Sequence, residues 1–146
     1  MSAHFISAIL LYSPDAERLA GFYRDVLGIP LEAEQHGNAP PHYGCELGEI
    51  HFAIHPAKPG ETHAAGAVRL AFEVFDLDEH MRQMDEHNVN VIARPQNMGP
   101  MKLAVIADPD GNKIEFTELA KGWIDHLRGI KAEGKDLVTQ WDRRNS

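Results

Sequence analysis

The sequence predicts an α+β protein in which two βαβββ repeats form a curved mixed sheet around a cup, with a helical extension at the C-terminal end. The order of one strand, one helix and three strands occurs twice, in residues 4–55 and 68–119. Apolar residues alternate in the strands but recur every three or four positions in the helices. The length of 146 residues is typical of one domain with a substantial core. We therefore expect one domain over residues 1–119 and the extension over residues 120–146.

The first repeat opens with a mostly apolar run at residues 4–12, in which alternation places Ile6, Ala8, Leu10 and Tyr12 on one face. Ser13 is a favourable helix N-cap and is followed by Pro14, and Gly28 is a favourable helix end. The helix between them is predicted to bury an apolar stripe: Leu19, Phe22, Tyr23, Val26 and Leu27. Three further strands are predicted at residues 29–34, 42–47 and 50–55, with a polar loop at residues 35–41.

The second repeat has the same order after a loop rich in Pro, Gly and Ala at residues 56–66. Its strands are predicted at residues 68–75, 89–94, 101–107 and 112–119, and its helix at residues 76–88. The periodicity of this helix predicts that Leu77, Met81 and Met84 point inward.

A tight turn, Asp108-Pro109-Asp110-Gly111, leads into the last predicted strand. Pro109 has the φ angle that the second position of a β-turn requires, and Gly111 has the permissive backbone that lets the chain reverse. In the strand that follows, alternation places Ile114 and Phe116 on one face and Glu115 on the other.

The two halves can be laid over each other, although they share little sequence identity. A shift of 61 positions lays Asp15 on Asp76, and a shift of 64 positions lays His51 on Glu115. The shared order and alternation therefore predict a true internal repeat.

The composition excludes several classes of protein. A hydrophobic fraction of 43% with 25% charged residues is ordinary for a globular protein, and a formal charge of −8 opposes binding to nucleic acid. No apolar run is long enough to cross a membrane, and the N-terminal residues lack the features of a signal peptide. The single cysteine, Cys45, excludes an internal disulfide, so we expect a cytoplasmic protein.

The strand faces that point away from the helices would line the cup. On the predicted alternation they hold a mixed set of side chains: Ala8, Leu10, Tyr12, His51, His55, Arg69 and Glu115. Aromatic, imidazole, guanidinium and carboxylate groups together suit a small polar ligand better than a dry core.

Two stretches, FYRDVLG at residues 22–28 and DPDGNKIEF at residues 108–116, resemble the signature stretches of the vicinal oxygen chelate superfamily. This superfamily includes glyoxalase I, extradiol dioxygenases, fosfomycin-modifying enzymes and bleomycin-binding proteins. The resemblance covers residues 4–119 and implies the paired βαβββ fold, but it leaves the activity open because one fold serves many chemistries. Members are commonly homodimers, sometimes with swapped repeats, so the resemblance also implies a homodimer.

The resemblance implies that a metal would be held at the first and last strands of each repeat, which here carry Ala8, His51, Arg69 and Glu115. Ala8 has no donor atom, and Arg69 is a permanent cation that cannot coordinate. Because catalytic metal sites normally have about three protein ligands, we expect no family-type metal site and no cofactor. We expect Arg69 to form a charge-assisted pair with Glu115 in the metal's place.

Other candidate residues keep two interpretations. His51 and His55 lie four apart in a strand, about 13 Å, and cannot chelate one ion, and Cys45 is expected to be a buried structural thiol. Tyr12 is either a stacking surface for a ligand or an aromatic side chain at a strand end. Arg69 is either the partner of Glu115 alone or a clamp for a carboxylate or phosphonate.

The extension is predicted to form two amphipathic helical segments. Their apolar stripes are Leu119, Trp123, Ile124, Leu127 and Ile130, and then Leu137, Val138 and Trp141. These stripes can pack on the sheet, cover the cup or contact a second subunit, and we take the extension as the candidate dimer element.

The sequence thus predicts a protein that binds a small, anionic molecule through Tyr12, His51, Arg69 and Glu115, without a family-type metal and with no catalytic residue assigned. One alternative is a metal-dependent lyase, isomerase or dioxygenase with His51 and Glu115 as ligands. A second alternative is an interaction module whose cup has lost its ligand.

Overall fold

The protein contains two four-stranded mixed sheets, one from each repeat. The structure is a computed structural model and describes residues 3–61, 65–118 and 120–146. The first sheet contains β1 (Ala8–Ser13), β2 (Glu32–Glu34), β3 (His42–Leu47) and β4 (Ile50–Pro56). The second contains β5 (Leu70–Val74), β6 (Asn90–Met98), β7 (Met101–Ala107) and β8 (Lys113–Glu118). The helices are α1 (Ala16–Gly21), which continues as a π-helical segment (Phe22–Val26), α2 (Leu77–Glu86), α3 (Lys121–Ala132) and α4 (Leu137–Asn145).

The two sheets have the same topology. The strand orders are β1-β4-β3-β2 and β5-β8-β7-β6. In each sheet the first and last strands of the repeat pair in parallel, and the remaining pairs are antiparallel. The predicted α+β class and the internal repeat are therefore confirmed.

The predicted N-cap of the first helix is wrong by two residues. Asp15 caps α1, because its carboxylate accepts a hydrogen bond from the Arg18 amide at 3.0 Å. The Ser13 hydroxyl accepts instead from the Asp15 amide at 3.1 Å and so forms the turn before the helix. In the second repeat Asp76 caps α2 in the same way, accepting from the Glu79 amide at 3.0 Å, so Asp15 and Asp76 are equivalent residues.

Several strand bounds also differ from the prediction, because a strand extends only as far as its partner. β1 begins at Ala8, where pairing with β4 begins, so Ile6 lies outside the strand and is exposed. β5 begins at Leu70 and leaves Arg69 just before it. β6 continues beyond Arg94 because its pairing with β7 reaches Met98. The predicted bounds at Leu119 and part of the loop at residues 56–66 fall outside the described residues.

One apolar core lies between the helices and the sheets. Leu77, Met81 and Met84 are buried as predicted. The rings of Phe52 in the first sheet and Phe72 in the second lie 6.3 Å apart in an edge-on contact. The core therefore spans both repeats.

The two stretches that carry the family resemblance contact each other. The buried Tyr23 donates its hydroxyl to Asp108 Oδ2 at 3.0 Å, and burial followed by the charge of Asp108 raises the pKa of Tyr23 far above its ordinary value. Asp108 also accepts from the amides of Asp110 and Asn112, at 2.9 Å each, and so organises its own loop. The stretches thus hold α1 against the loop between β7 and β8.

The extension forms α3 and α4, and all of their residues are described. Neither helix buries a residue, and Trp123 and Trp141 are exposed. None of the helices in the described part of the chain is both long and apolar enough to span a bilayer.

Candidate functional site

The open face of each sheet, defined as the face turned away from the helices, carries the side chains that alternate with the core. In β1, Ala8, Leu10 and Tyr12 are exposed, whereas Ile9 and Leu11 pack against the core. The parallel register pairs Ala8 with His51 and Tyr12 with His55, so these residues share the open face. The alternation predicted for residues 8–12 is confirmed.

On the open face of the second sheet Glu115 lies beside Arg69. Arg69 Nη1 donates to Glu115 Oε2 at 3.4 Å, and the side chains are 51% and 22% exposed. Ile114 and Phe116, on the opposite face, are buried. The expected ion pair therefore forms at the position that the resemblance assigns to a metal.

His51 has a different partner. Its Nδ1 atom lies 2.5 Å from Glu46 Oε1, and Ala8, its neighbour across the strand pair, offers no donor atom. The structure therefore brings Arg69 to Glu115 and His51 to Glu46, and each pairing stays within one sheet.

Tyr12 lines a cleft of about 480 Å³ between the edge strands β1 and β5. Its ring lies 5.7 Å from that of His55. Among the described residues, the lining of this cleft does not include His51, Arg69 or Glu115. It does include Lys113, which lies on the same face of β8 as Glu115. Sequence reasoning did not select Lys113, although its position two residues before Glu115 was a usable signal.

A second group of polar side chains lies on the open face of the first sheet, where β2 turns into β3. Glu34 and His42 are direct cross-strand partners, and His42 Nε2 lies 3.0 Å from Glu34 Oε2. His36 follows β2 and places its Nε2 atom 4.0 Å from the same carboxylate oxygen. One donor atom from each of the three residues lies within 4.8 Å of the others.

Two more imidazoles lie near this group. The His55 ring stacks on that of His42 with centroids 4.4 Å apart and planes 7° apart. Burial lowers the pKa of His55, and His42 and His51 lower it further, whereas Glu34 raises it. A lowered pKa keeps the His55 ring neutral at neutral pH.

Cys45 alternates with this face and packs against the core. Burial raises the pKa of its thiol, with further contributions from Glu46 and Glu34. A thiol with a raised pKa is a poor nucleophile, as expected for Cys45, but the residue is partly buried and not fully buried as predicted.

The sequence predicts Glu34 in a strand, His36 in a loop and His42 in the next strand. It does not predict that these three side chains lie close together in space. The available signals were the spacing of two between Glu34 and His36 and the concentration of four of the nine histidines in residues 36–55. Neither signal gives the register of β2 against β3, and that register is what joins them.

Two βαβββ repeats of the same topology, with polar side chains on their open faces, define the fold class of this protein. The family model described as Glyoxalase/Bleomycin resistance protein/Dioxygenase superfamily matches residues 5–116. The chain belongs to this superfamily.

Individual relatives agree with this assignment. "Uncharacterized protein YaeR" of Escherichia coli (strain K12) is 28% identical over 119 residues, which cover 75% of this chain and 92% of that protein. TnmS3, an antibiotic binding protein from Streptomyces sp. CB03234, has a similar crystal structure with a TM-score of 0.67 and 23% identity, covering 82% of this chain and 99% of that one. Lactoylglutathione lyase from Agrobacterium tumefaciens gives a TM-score of 0.58 and 22% identity, covering 81% and 96%. The two structures show a shared fold.

Proposed function

We propose that this protein binds a small carboxylate or phosphonate in its cup and does so without a family-type metal. The observation that carries the proposal is the Arg69–Glu115 pair, 3.4 Å apart, at two of the four positions that the resemblance assigns to metal ligands. A third position is Ala8, which has no donor atom. Only His51 and Glu115 remain, fewer than the three ligands that a catalytic metal normally has.

The Arg69–Glu115 pair is exposed enough for Arg69 to exchange Glu115 for an anionic ligand. A guanidinium forms two parallel hydrogen bonds with a carboxylate or phosphonate, and Arg69 is half exposed. Glu115 neutralises Arg69 before a ligand arrives, and an anionic ligand then competes for the same donors. Tyr12 lines a cleft whose wall also includes Leu70 and Ile114, the chain neighbours of Arg69 and Glu115. In our proposal the Tyr12 ring is the aromatic surface for the rest of the ligand.

The comparisons support binding as a function of this fold. TnmS3 is described as an antibiotic binding protein, so a protein with the same fold has binding as its described role. For this chain the assignment remains our proposal, because structures at this level of identity share only the fold.

The role of Arg69 is tested by screening small carboxylates and phosphonates by ligand-observed NMR and measuring affinities by calorimetry. We expect Arg69→Ala to weaken the best anion at least about tenfold, roughly 1.4 kcal/mol. Arg94→Ala is the matched control, because Arg94 forms an exposed pair with Asp85 at 2.7 Å away from the open face. Unchanged affinity in Arg69→Ala would eliminate the clamp.

The absence of a family-type metal is tested by elemental analysis of untagged protein purified without chelator. Near-stoichiometric Ni, Fe, Mn or Zn that disappears in Glu115→Ala would overturn this part of the proposal. That result would support the metal-dependent enzyme with His51 and Glu115 as ligands.

We also propose that α3 and α4 form a homodimer contact. Both helices expose large apolar side chains, including Trp123, Leu127, Val138 and Trp141, and such surfaces are typical of protein contacts. Sedimentation that shows a monomer both with and without residues 120–146 would rule this out.

A further inference from the structure

We propose that the hairpin between β2 and β3 holds a divalent transition-metal ion, with Glu34, His36 and His42 as ligands. This site is separate from the four positions that the resemblance assigns to the family's metal. It also goes beyond the proposed role of the cup, because neither Arg69 nor Glu115 takes part in it.

The backbone brings the three side chains together on one face. Glu34 and His42 are cross-strand partners, and His36, in the loop two residues after Glu34, brings its Nε2 atom near the same carboxylate. A metal with bonds of about 2.1 Å in tetrahedral geometry separates its ligand atoms by about 3.4 Å. The distances from Glu34 Oε2 to His42 Nε2 and His36 Nε2, 3.0 and 4.0 Å, lie on either side of that value.

The donor set selects a class of ion. Two imidazoles and one carboxylate suit Zn²⁺ and its neighbours in the first transition row, whereas Mg²⁺ and Ca²⁺ prefer oxygen ligands. The His36 side chain is 79% exposed, so its ring can turn toward the ion. Metal binding requires unprotonated ligand atoms, so an ion at this site replaces the direct His42–Glu34 contact.

Gly44 provides a second, independent observation. A β-carbon at this position would lie 3.1 Å from His51 Nε2 and 3.3 Å from Glu34 Oε1, so two donor groups occupy the space that a side chain would fill. Gly44 therefore leaves room for the Glu34 carboxylate on the open face. His51, which pairs with Glu46, is not part of the group of three whose donor atoms lie within 4.8 Å of one another.

The test is calorimetric titration of untagged, EDTA-stripped protein with Zn²⁺, with Mg²⁺ as the comparison ion. We expect saturable binding of one Zn²⁺ per chain, proton release, and no binding of Mg²⁺. We expect His36→Gln to weaken Zn²⁺ binding at least tenfold, and this exposed change should leave the unfolding midpoint in EDTA unchanged. His87→Gln, at an exposed histidine after α2, is the matched control and should bind as the parent does.

Gly44→Ala provides a variant that keeps all three ligands but crowds the Glu34 carboxylate, and we expect it to weaken Zn²⁺ binding as well. Absence of saturable binding, or unchanged affinity in both His36→Gln and Glu34→Gln, would overturn the site while leaving the anion-binding proposal intact. Binding that is lost in Glu115→Gln and kept in His36→Gln would place the metal at the family position and would overturn both proposals.

Discussion

The two repeats have the same topology and carry different chemistry. The open face of the first sheet holds imidazoles and carboxylates at the turn from β2 to β3, whereas that of the second holds the Arg69–Glu115 pair. The helix caps are the same in both, Asp15 and Asp76. Residues that build the core and start the helices are constrained by packing more closely than exposed residues of the open face, such as Tyr12. Chemistry can therefore diverge on this face without loss of the fold.

The connections before the last strand of each repeat also differ. In the first repeat two residues, Gly48 and Glu49, join β3 to β4. In the second repeat residues 108–112 join β7 to β8, and Asp108 in this longer loop binds Tyr23 of the first repeat. Asp108 therefore gives the longer loop a direct hydrogen bond to the first repeat.

The largest expected effect comes from removing this connection. Asp108→Ala leaves the buried Tyr23 hydroxyl and the amides of the loop without their acceptor, so we expect a loss of about 3 kcal/mol in the free energy of unfolding. Urea denaturation of the variant and the parent protein measures this loss. Tyr23→Phe removes one of these bonds and should cost about 1 kcal/mol; a loss below that in Asp108→Ala would show that the loop does not hold the repeats together.

The next effect concerns one position that differs between the helices. The shift that equates Asp15 with Asp76 places His80 of α2 on Leu19 of α1. The His80 ring packs on Phe116 with centroids 4.2 Å apart, and its Nε2 atom is buried without a hydrogen-bond partner. Burial lowers the pKa of His80, so the unfolded chain binds its proton more readily than the folded protein does.

The contribution of neutral His80 to the free energy of unfolding should therefore be complete above the unfolded pKa of about 6.5. The free energy of unfolding should fall as the pH drops from 7 toward 5. One proton contributes at most about 1.4 kcal/mol per pH unit. His80→Leu, which makes the second repeat resemble the first, should reduce this slope without removing it, because the pKa of His55 is also lowered. Unfolding curves at several pH values test this; an unchanged slope would contradict it.

The N-caps of α1 and α2 should contribute equally to the stability of the protein, because their hydrogen bonds are the same. Asp15→Ala and Asp76→Ala each remove the acceptor of one amide hydrogen bond, and each should cost about 1 kcal/mol. Replacement by Asn at either position keeps a hydrogen-bond acceptor and should change the free energy of unfolding very little. Thermal unfolding compares the four variants, and clearly unequal losses for the two alanine variants would show that the caps are not equivalent.

The smallest expected effect on stability is at the proposed binding pair. Arg69 is half exposed and its contact with Glu115 is long, 3.4 Å, so Arg69→Ala should change the free energy of unfolding by less than about 1 kcal/mol. The same variant should lose anion affinity. A large loss of stability in denaturant unfolding would indicate a structural role instead.

Much of the fold could be predicted from the sequence, because it depends on short patterns. The inward positions Leu77, Met81 and Met84, the alternation of β8 and the turn at Asp108 all follow from neighbours within a few positions. The N-cap was placed on Ser13 because several nearby residues suit that role, and only the geometry of the turn separates Ser13 from Asp15. Of the candidate site, the Arg69–Glu115 contact follows from strand alternation together with the positions that the family resemblance assigns to metal ligands.

Local periodicity is enough to predict the order of the elements and the inward faces of helices and strands, and the repeat pairs Asp15 with Asp76. Three contacts could not be predicted in this way: the meeting of Glu34, His36 and His42, the pairing of His51 with Glu46, and the bond from Tyr23 to Asp108. These contacts depend on strand register and on packing between distant segments. Alternation within a strand predicts which side chains face the core, but it does not predict which residue of another strand lies opposite. That pairing is what brings His42 to Glu34.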